Sequence, residues 1–164
     1  MRWYCATCGA EHDELPLDWA YDAPQFWDGP RGENDRLGAD FCIWTDDDDR
    51  ECYFVRGVLE LPVLETEETF AYGVWSSLSK ASFDRLTDTW DDQETPSGGT
   101  YFGWLCNALP EFPDALGLPL DVVTRADLRP TLVLHDGDHP LVVAQRNGVT
   151  HQWVRSVAEQ HLHA

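Results

Sequence analysis

Residues 53–78 read YFVRGVLELPVLETEETFAYGVWSSL, and their pattern decides the fold. The first half, residues 53–64, is rich in β-branched and aromatic side chains, with Phe54, Val55, Val58, Leu59 and Val63. That content predicts a long strand. Gly57 is a candidate bulge, and Pro62 sits near the strand end. The acidic run Glu65–Glu68 reads as a solvated loop, and residues 69–78 return as a second strand. Upstream, residues 40–44 form a short strand, and the charged turn Asp46-Asp47-Asp48-Asp49 joins it to the long one as a hairpin.

Downstream of this stretch the pattern changes period. Ser79 stands where an N-cap belongs, ahead of residues 80–90, and Phe83, Leu86 and Trp90 make one apolar helical stripe. A polar Pro/Gly loop follows at 91–99, then a strand at 101–107 and a bend at Leu109-Pro110 and Phe112-Pro113. Residues 120–125 and 131–135 are two more strands separated by a polar turn. Asp138 or His139 caps a short helix, with Pro140 at its first position and Gly148 past its end. A last helix starts at Thr150, its buried face drawn from Trp153 or Val154, Val157, Ala158 and Leu162. Runs of strands without regular βα alternation predict an α+β fold with a mostly antiparallel sheet and about three helices.

Residues 1–38 look different. Pro16, Pro24, Gly29, Pro30, Gly32 and Gly38 punctuate them, which predicts a cysteine knuckle and a long irregular wrap. Leu15, Leu17, Trp19, Tyr21, Phe26 and Trp27 are expected to pin the wrap to the body. The whole of residues 1–164 is expected to be one domain.

Composition narrows the partners. The chain carries 11 Lys+Arg against 30 Asp+Glu, a net charge of −19. Such a field repels phosphate backbones and anionic lipid heads, so neither nucleic acid nor a membrane surface is an expected partner. A basic protein is, although solubility alone also accounts for the charge. The opening Met1-Arg2-Trp3-Tyr4-Cys5 has no apolar signal region, and no apolar run approaches a membrane span. Five cysteines cannot form a complete disulfide framework within one chain, so the expected location is the reducing cytoplasm.

The strongest chemical motif is Cys5-Ala6-Thr7-Cys8-Gly9, followed by His12. A tight turn with Gly after the second Cys aims two thiolates at one centre, as in many tetrahedral zinc sites. His12 and Cys42 are the candidates for the other two ligands. A cysteine donated from the first strand would staple the wrap onto the sheet. A thioredoxin-type pair is expected after a strand and opening a helix, and no strand is predicted in the four residues before Cys5; simple packing cysteines are the main rival. Four protein ligands make a structural site; three with an open position would permit hydrolysis by a metal-bound water. With two thiolates in the set and no carboxylate assigned as a general base, a structural zinc is expected.

Other constellations read as ordinary structure. His135-Asp136-Gly137-Asp138-His139 lacks the spacing of a di-histidine metal motif and reads as a turn with a helix cap. Asp46–Asp49 lacks the Gly and distal Glu of a calcium loop. Trp75-Ser76-Ser77-Leu78-Ser79 has no nucleophile elbow, and no phosphate-binding glycine loop occurs. Cys52 and Cys106 read as packing residues, while Arg56 and Arg125 are read as partners of nearby carboxylates. No catalytic residue is assigned.

Several blocks together carry a resemblance. They are Cys5-x-x-Cys8-Gly9-x-x-His12, Leu15-Pro16, Asp22-x-Pro24, Cys42, Phe54-Val55-Arg56-Gly57, Leu59-Glu60-Leu61-Pro62-Val63 and Gly73-Val74-Trp75. Later come Ser77-Leu78-Ser79, Tyr101-Phe102-Gly103-Trp104-Leu105, Leu109-Pro110, Arg129-Pro130 and His139-Pro140-Leu141 through Gln145 to Gly148. These resemble a bacterial family known only as domain of unknown function 2199. The resemblance raises Cys5, Cys8 and Cys42 above Cys52 and Cys106, and it includes His12. It also includes His139, which stands as a substitute fourth ligand or as a site residue.

The expected function is a non-enzymatic, metal-stapled module that binds a basic protein, with an immunity or antitoxin-like protein as the sharper variant. Acidic charge would steer such a partner at rates that fall with salt. The alternative is a small metal-dependent hydrolase with an open zinc position, which would need His139, His12 or a carboxylate such as Glu60 in one pocket.

Overall fold

The computed structural model describes residues 2–12, 15–90, 99–125 and 128–162. The loop expected at 91–99, except its last residue, therefore lies outside the described residues. So do residues 126–127 of the turn expected before Thr131.

The architecture is α+β. A two-stranded arm, β1 (Trp3–Tyr4) and β2 (Glu11–His12), precedes an eight-stranded sheet. The sheet contains β3 (Asp18–Ala20), β4 (Arg36–Leu37), β5 (Phe41–Thr45), β6 (Glu51–Pro62), β7 (Thr69–Leu78), β8 (Thr100–Trp104), β9 (Pro119–Arg125) and β10 (Leu128–Leu134). Three α-helices complete the fold: α1 (Lys80–Asp88), α2 (Pro140–Asn147) and α3 (His151–Leu162).

The hairpin β6–β7 is the spine. Its ten antiparallel pairs run without a register shift from Tyr53↔Leu78 to Pro62↔Thr69. Gly57 is thus not a bulge. A Cβ there would stand 2.7 Å from Leu132 and 2.9 Å from the Pro130 carbonyl oxygen, so the glycine admits β10. The far edge of β6 is shared: β5 pairs antiparallel with its first half, and β10 lies parallel at Thr131↔Val58. β10, β9 and β8 then follow antiparallel. An antiparallel bridge between Ser76 and Leu105 turns this path back onto β7, and β3 adds in parallel on β7 at residues 71–73. The sheet is therefore mixed, with antiparallel pairs in the majority.

Strand alternation sends two sets of side chains to two faces. Val55, Leu59, Leu61, Phe70, Tyr72, Val74, Leu120, Val122 and Leu132 point into the main core. There they meet Phe83 and Leu86 of α1, Leu141 and Val142 of α2, and Val154, Val157 and Ala158 of α3. Leu162 is not part of the buried face; it is 47% exposed. The opposite face of β5–β7 carries a smaller cluster of Cys42, Trp44, Phe54, Trp75 and Cys106, against which Tyr21, Trp27 and Cys52 pack.

The helix caps follow the sequence chemistry. Ser79 accepts from the Ser82 N–H, and His139 Nδ1 accepts from the Leu141 N–H ahead of Pro140. Thr150 accepts from the Trp153 N–H at the start of α3.

The wrap is more regular than expected, because it supplies β3 and β4 and is laced down by polar contacts. Buried Asn107 accepts from the Trp75 N–H and donates to the Ala23 carbonyl, and the Trp75 indole donates to the Tyr21 carbonyl. β8 ends at Trp104 rather than at 107, although Leu105 still bridges to Ser76 of β7 and the Cys106 N–H bonds to the Trp75 carbonyl. Phe26, expected as a pin, is 52% exposed. Asp46 to Asp49 form a hydrogen-bonded turn: Asp46 accepts from the Asp48 and Arg50 N–H groups, and Arg31 reaches Asp47.

Among the described residues no helix is long and apolar enough to cross a membrane.

Candidate metal centre

The knuckle is built by local hydrogen bonding. The Gly9 N–H donates to the Cys5 carbonyl and the Cys5 N–H to the Ala10 carbonyl, each at 2.9 Å. Gly9 sits at φ +71°, a left-handed conformation that glycine adopts without strain and that brings the chain back along itself. The returning strand β2 then pairs with β1, with His12 opposite Trp3. Buried Trp3 stacks on the His12 ring at 4.9 Å between centroids, which orients the imidazole.

The result is convergence. Ligand atoms of Cys5, Cys8 and His12 all lie within 4.8 Å of one another. Cys8 Sγ stands 3.4 Å from His12 Nε2. A tetrahedral zinc with Zn–S of about 2.3 Å and Zn–N of about 2.05 Å would set such a pair about 3.6 Å apart. The observed spacing suits a zinc-sized ion. Burial acts to raise the Cys5 thiol, but hydrogen bonds from the backbone of Cys8 and Thr7 and from the Cys8 side chain outweigh it. The thiol is held below its ordinary value, in the direction metal binding requires. Cys5 is buried, His12 half-buried and Cys8 exposed, so the centre lies at the surface with one wall in the core.

Cys42 is not brought to this group. In β5, Ile43 points into the core that holds Cys5, so its neighbour Cys42 points to the other face and packs with Phe54 and Trp75. Burial pushes its thiol up to about 12, with Asp35 adding to the effect. The expectation that Cys42 would staple the wrap is therefore corrected. The reason is strand parity, since one residue's difference in register selects the opposite face. His139 is not among the gathered ligand atoms, and its Nδ1 accepts from the Leu141 N–H in capping α2. Cys106 and Cys52 are packing residues whose thiols burial pushes up, that of Cys106 to about 11.

What holds the arm is α3. The Ala6 N–H, between the two knuckle cysteines, donates to Glu159 Oε1 at 2.9 Å, and Arg155 donates to the Tyr4 carbonyl at 2.7 Å. No local motif marks Glu159; 153 residues separate it from Ala6, and only the packing of α3 brings them together. A second polar cluster was equally invisible in sequence. The Glu111 carboxylate, 5% exposed, accepts from the Tyr72 hydroxyl and lies 3.0 Å from His161 Nε2, and Trp19 stacks on the His161 ring. It ties α3 to the sheet from the other side.

The remaining dismissed motifs stay ordinary. His135 pairs with Asp121 at 2.8 Å, and Asp136 with Arg146. Arg56 reaches Asp22 at 3.8 Å and Arg125 reaches Glu60 at 3.7 Å, each the partner of a carboxylate as expected.

Comparison with curated proteins and with solved structures finds no match. A family model described as an uncharacterized protein conserved in bacteria (DUF2199) matches residues 4–149, which include the knuckle and the whole sheet. The chain belongs to that bacterial family.

Proposed function

We propose that the chain is a non-enzymatic protein-binding module whose amino-terminal arm is fixed by one zinc ion on Cys5, Cys8 and His12, and whose partner is a basic protein. The observation that carries the metal part is the convergence of those three ligand atoms. The charge of −19 supports the choice of partner through long-range attraction. An apolar strip on the outer face offers the contact. Phe102 and Val133 lie opposite Asp121 in the strand register, and Trp104 packs edge-on against Phe102. Phe102, Trp104 and Val133 are 42–49% exposed. An immunity or antitoxin-like role is the specific form of this reading.

Two measurements test it. Native mass spectrometry of freshly purified, reduced protein is expected to show one zinc-class ion per chain; metal-free protein defeats the metal part. Capture of a bacterial lysate at low salt is expected to retain a basic protein that leaves at high salt and is lost with Phe102→Ser plus Trp104→Ser. Equal capture by the double variant defeats the binding part. A second reading, hydrolysis by a metal-bound water, draws on the failure of Cys42 to close the centre. It is tested by zinc-dependent turnover of ester or amide substrates.

A further inference from the structure

We propose that Glu159 of α3 is the fourth ligand of the Cys5–Cys8–His12 centre, which makes it a closed set of two sulfurs, one nitrogen and one oxygen. This rests on the metal reading above and names the group that completes it. Three observations carry it. The three gathered atoms leave one tetrahedral position, and neither Cys42 nor His139 supplies it. Glu159 reaches into the knuckle turn itself, with Oε1 on the Ala6 N–H between the two cysteines. Its second oxygen takes no hydrogen bond from any described residue, so it is available to a cation.

Electrostatics gives the same answer. A divalent cation placed between a carboxylate and two thiolates attracts all three. Glu159 is not among the three atoms already gathered. A bound ion draws its free oxygen in by side-chain rotation while the other oxygen keeps the Ala6 N–H, since ligating carboxylates are themselves hydrogen-bonded. Zinc accepts such an oxygen ligand alongside Cys and His. A fourth protein ligand leaves no place for a reactive water, so the centre is structural and the hydrolytic reading is disfavoured.

The test uses the full chain, stripped of metal and titrated with Co²⁺ and Zn²⁺. Glu159→Gln keeps an acceptor for the Ala6 N–H but removes the charged oxygen, and is expected to weaken zinc binding by at least ~10-fold. Glu159→Cys places a third thiolate on the centre and is expected to raise the sulfur-to-cobalt charge-transfer absorption by roughly half. If the unaltered chain takes up neither ion, the metal reading fails and this inference with it. If it binds metal but Glu159→Gln binds equally tightly, and Glu159→Cys leaves the cobalt spectrum unchanged, the metal reading stands and the fourth-ligand assignment is overturned. Should the Cys variant misfold, the Gln affinity alone decides.

Discussion

At Asp35 one carboxylate receives four hydrogen bonds, from the Arg31, Gly32 and Thr45 N–H groups and the Thr45 hydroxyl. Burial works against its charge, but these donors win and hold its pKa at about 2, below the ordinary 3.8. A depressed carboxylate contributes stability above its unfolded pKa and loses it as pH falls through the folded one. Asp35→Ala is therefore expected to cost about 1–2 kcal/mol near neutral pH, after allowance for solvent screening. The difference from the parent should vanish as pH drops from about 4 to about 2 in denaturant titrations; a difference that persists in acid would mean the charge is not responsible. The same scale governs the metal centre. Cys8→Ala and His12→Ala are expected to lower zinc affinity by at least ~10-fold in chelator competition, whereas Cys42→Ala leaves it unchanged. Zinc loss with Cys42→Ala would restore the fourth-ligand role that strand parity denies it. Residues whose chemistry is local were legible: the C-x-x-C-G turn and His12 lie within eight positions of one another. Cys42 and Glu159 were not, because which face a strand residue takes and where a distant helix docks are settled only by long-range packing.

Elements reveal a different kind of legibility. β7 and the Ser79 cap of α1 fall where composition and capping chemistry place them, since both depend on neighbours in sequence. Gly57 shows the limit. Glycine inside a strand signals either a bulge or a close backbone approach, and only the parallel arrival of β10 decides between them. Gly57→Ala drives a methyl against Leu132 and the Pro130 carbonyl, one of them fixed backbone. The expected cost is about 1–3 kcal/mol, as for other overpacked sites. It should appear as a lower denaturation midpoint with an unchanged slope, and a neutral substitution would show that β10 can yield. β3 and β4 were missed for the complementary reason. With two or three residues each, they carry no periodicity of their own and exist because β7 and β5 offer them an edge.

For the molecule as a whole, the question is what an ion on the knuckle would hold together. Had Cys42 been a ligand, the ion would have bound the arm to β5, and its removal would have loosened residues 1–40 together. The structure separates these parts. Residues 18–45 are secured without any ligand, through β3 on β7, the Asp35 hub, Asn107 on Ala23, and Asp28 joined to both Arg31 and the Trp44 indole. The arm at 2–12 rests instead on α3, through Glu159 and Arg155, and α3 lies past the stretch that the family model matches. Metal binding contributes folding free energy only to the segments whose groups it joins. Chelation followed by hydrogen exchange is therefore expected to accelerate exchange in residues 2–12 and in the C-terminal turns of α3. Strands β5, β6 and β7, fastened to one another by ladders that need no ion, should remain protected. Acceleration spreading through β5 while α3 stays protected would place the ion's second attachment on the sheet and overturn this division of the chain.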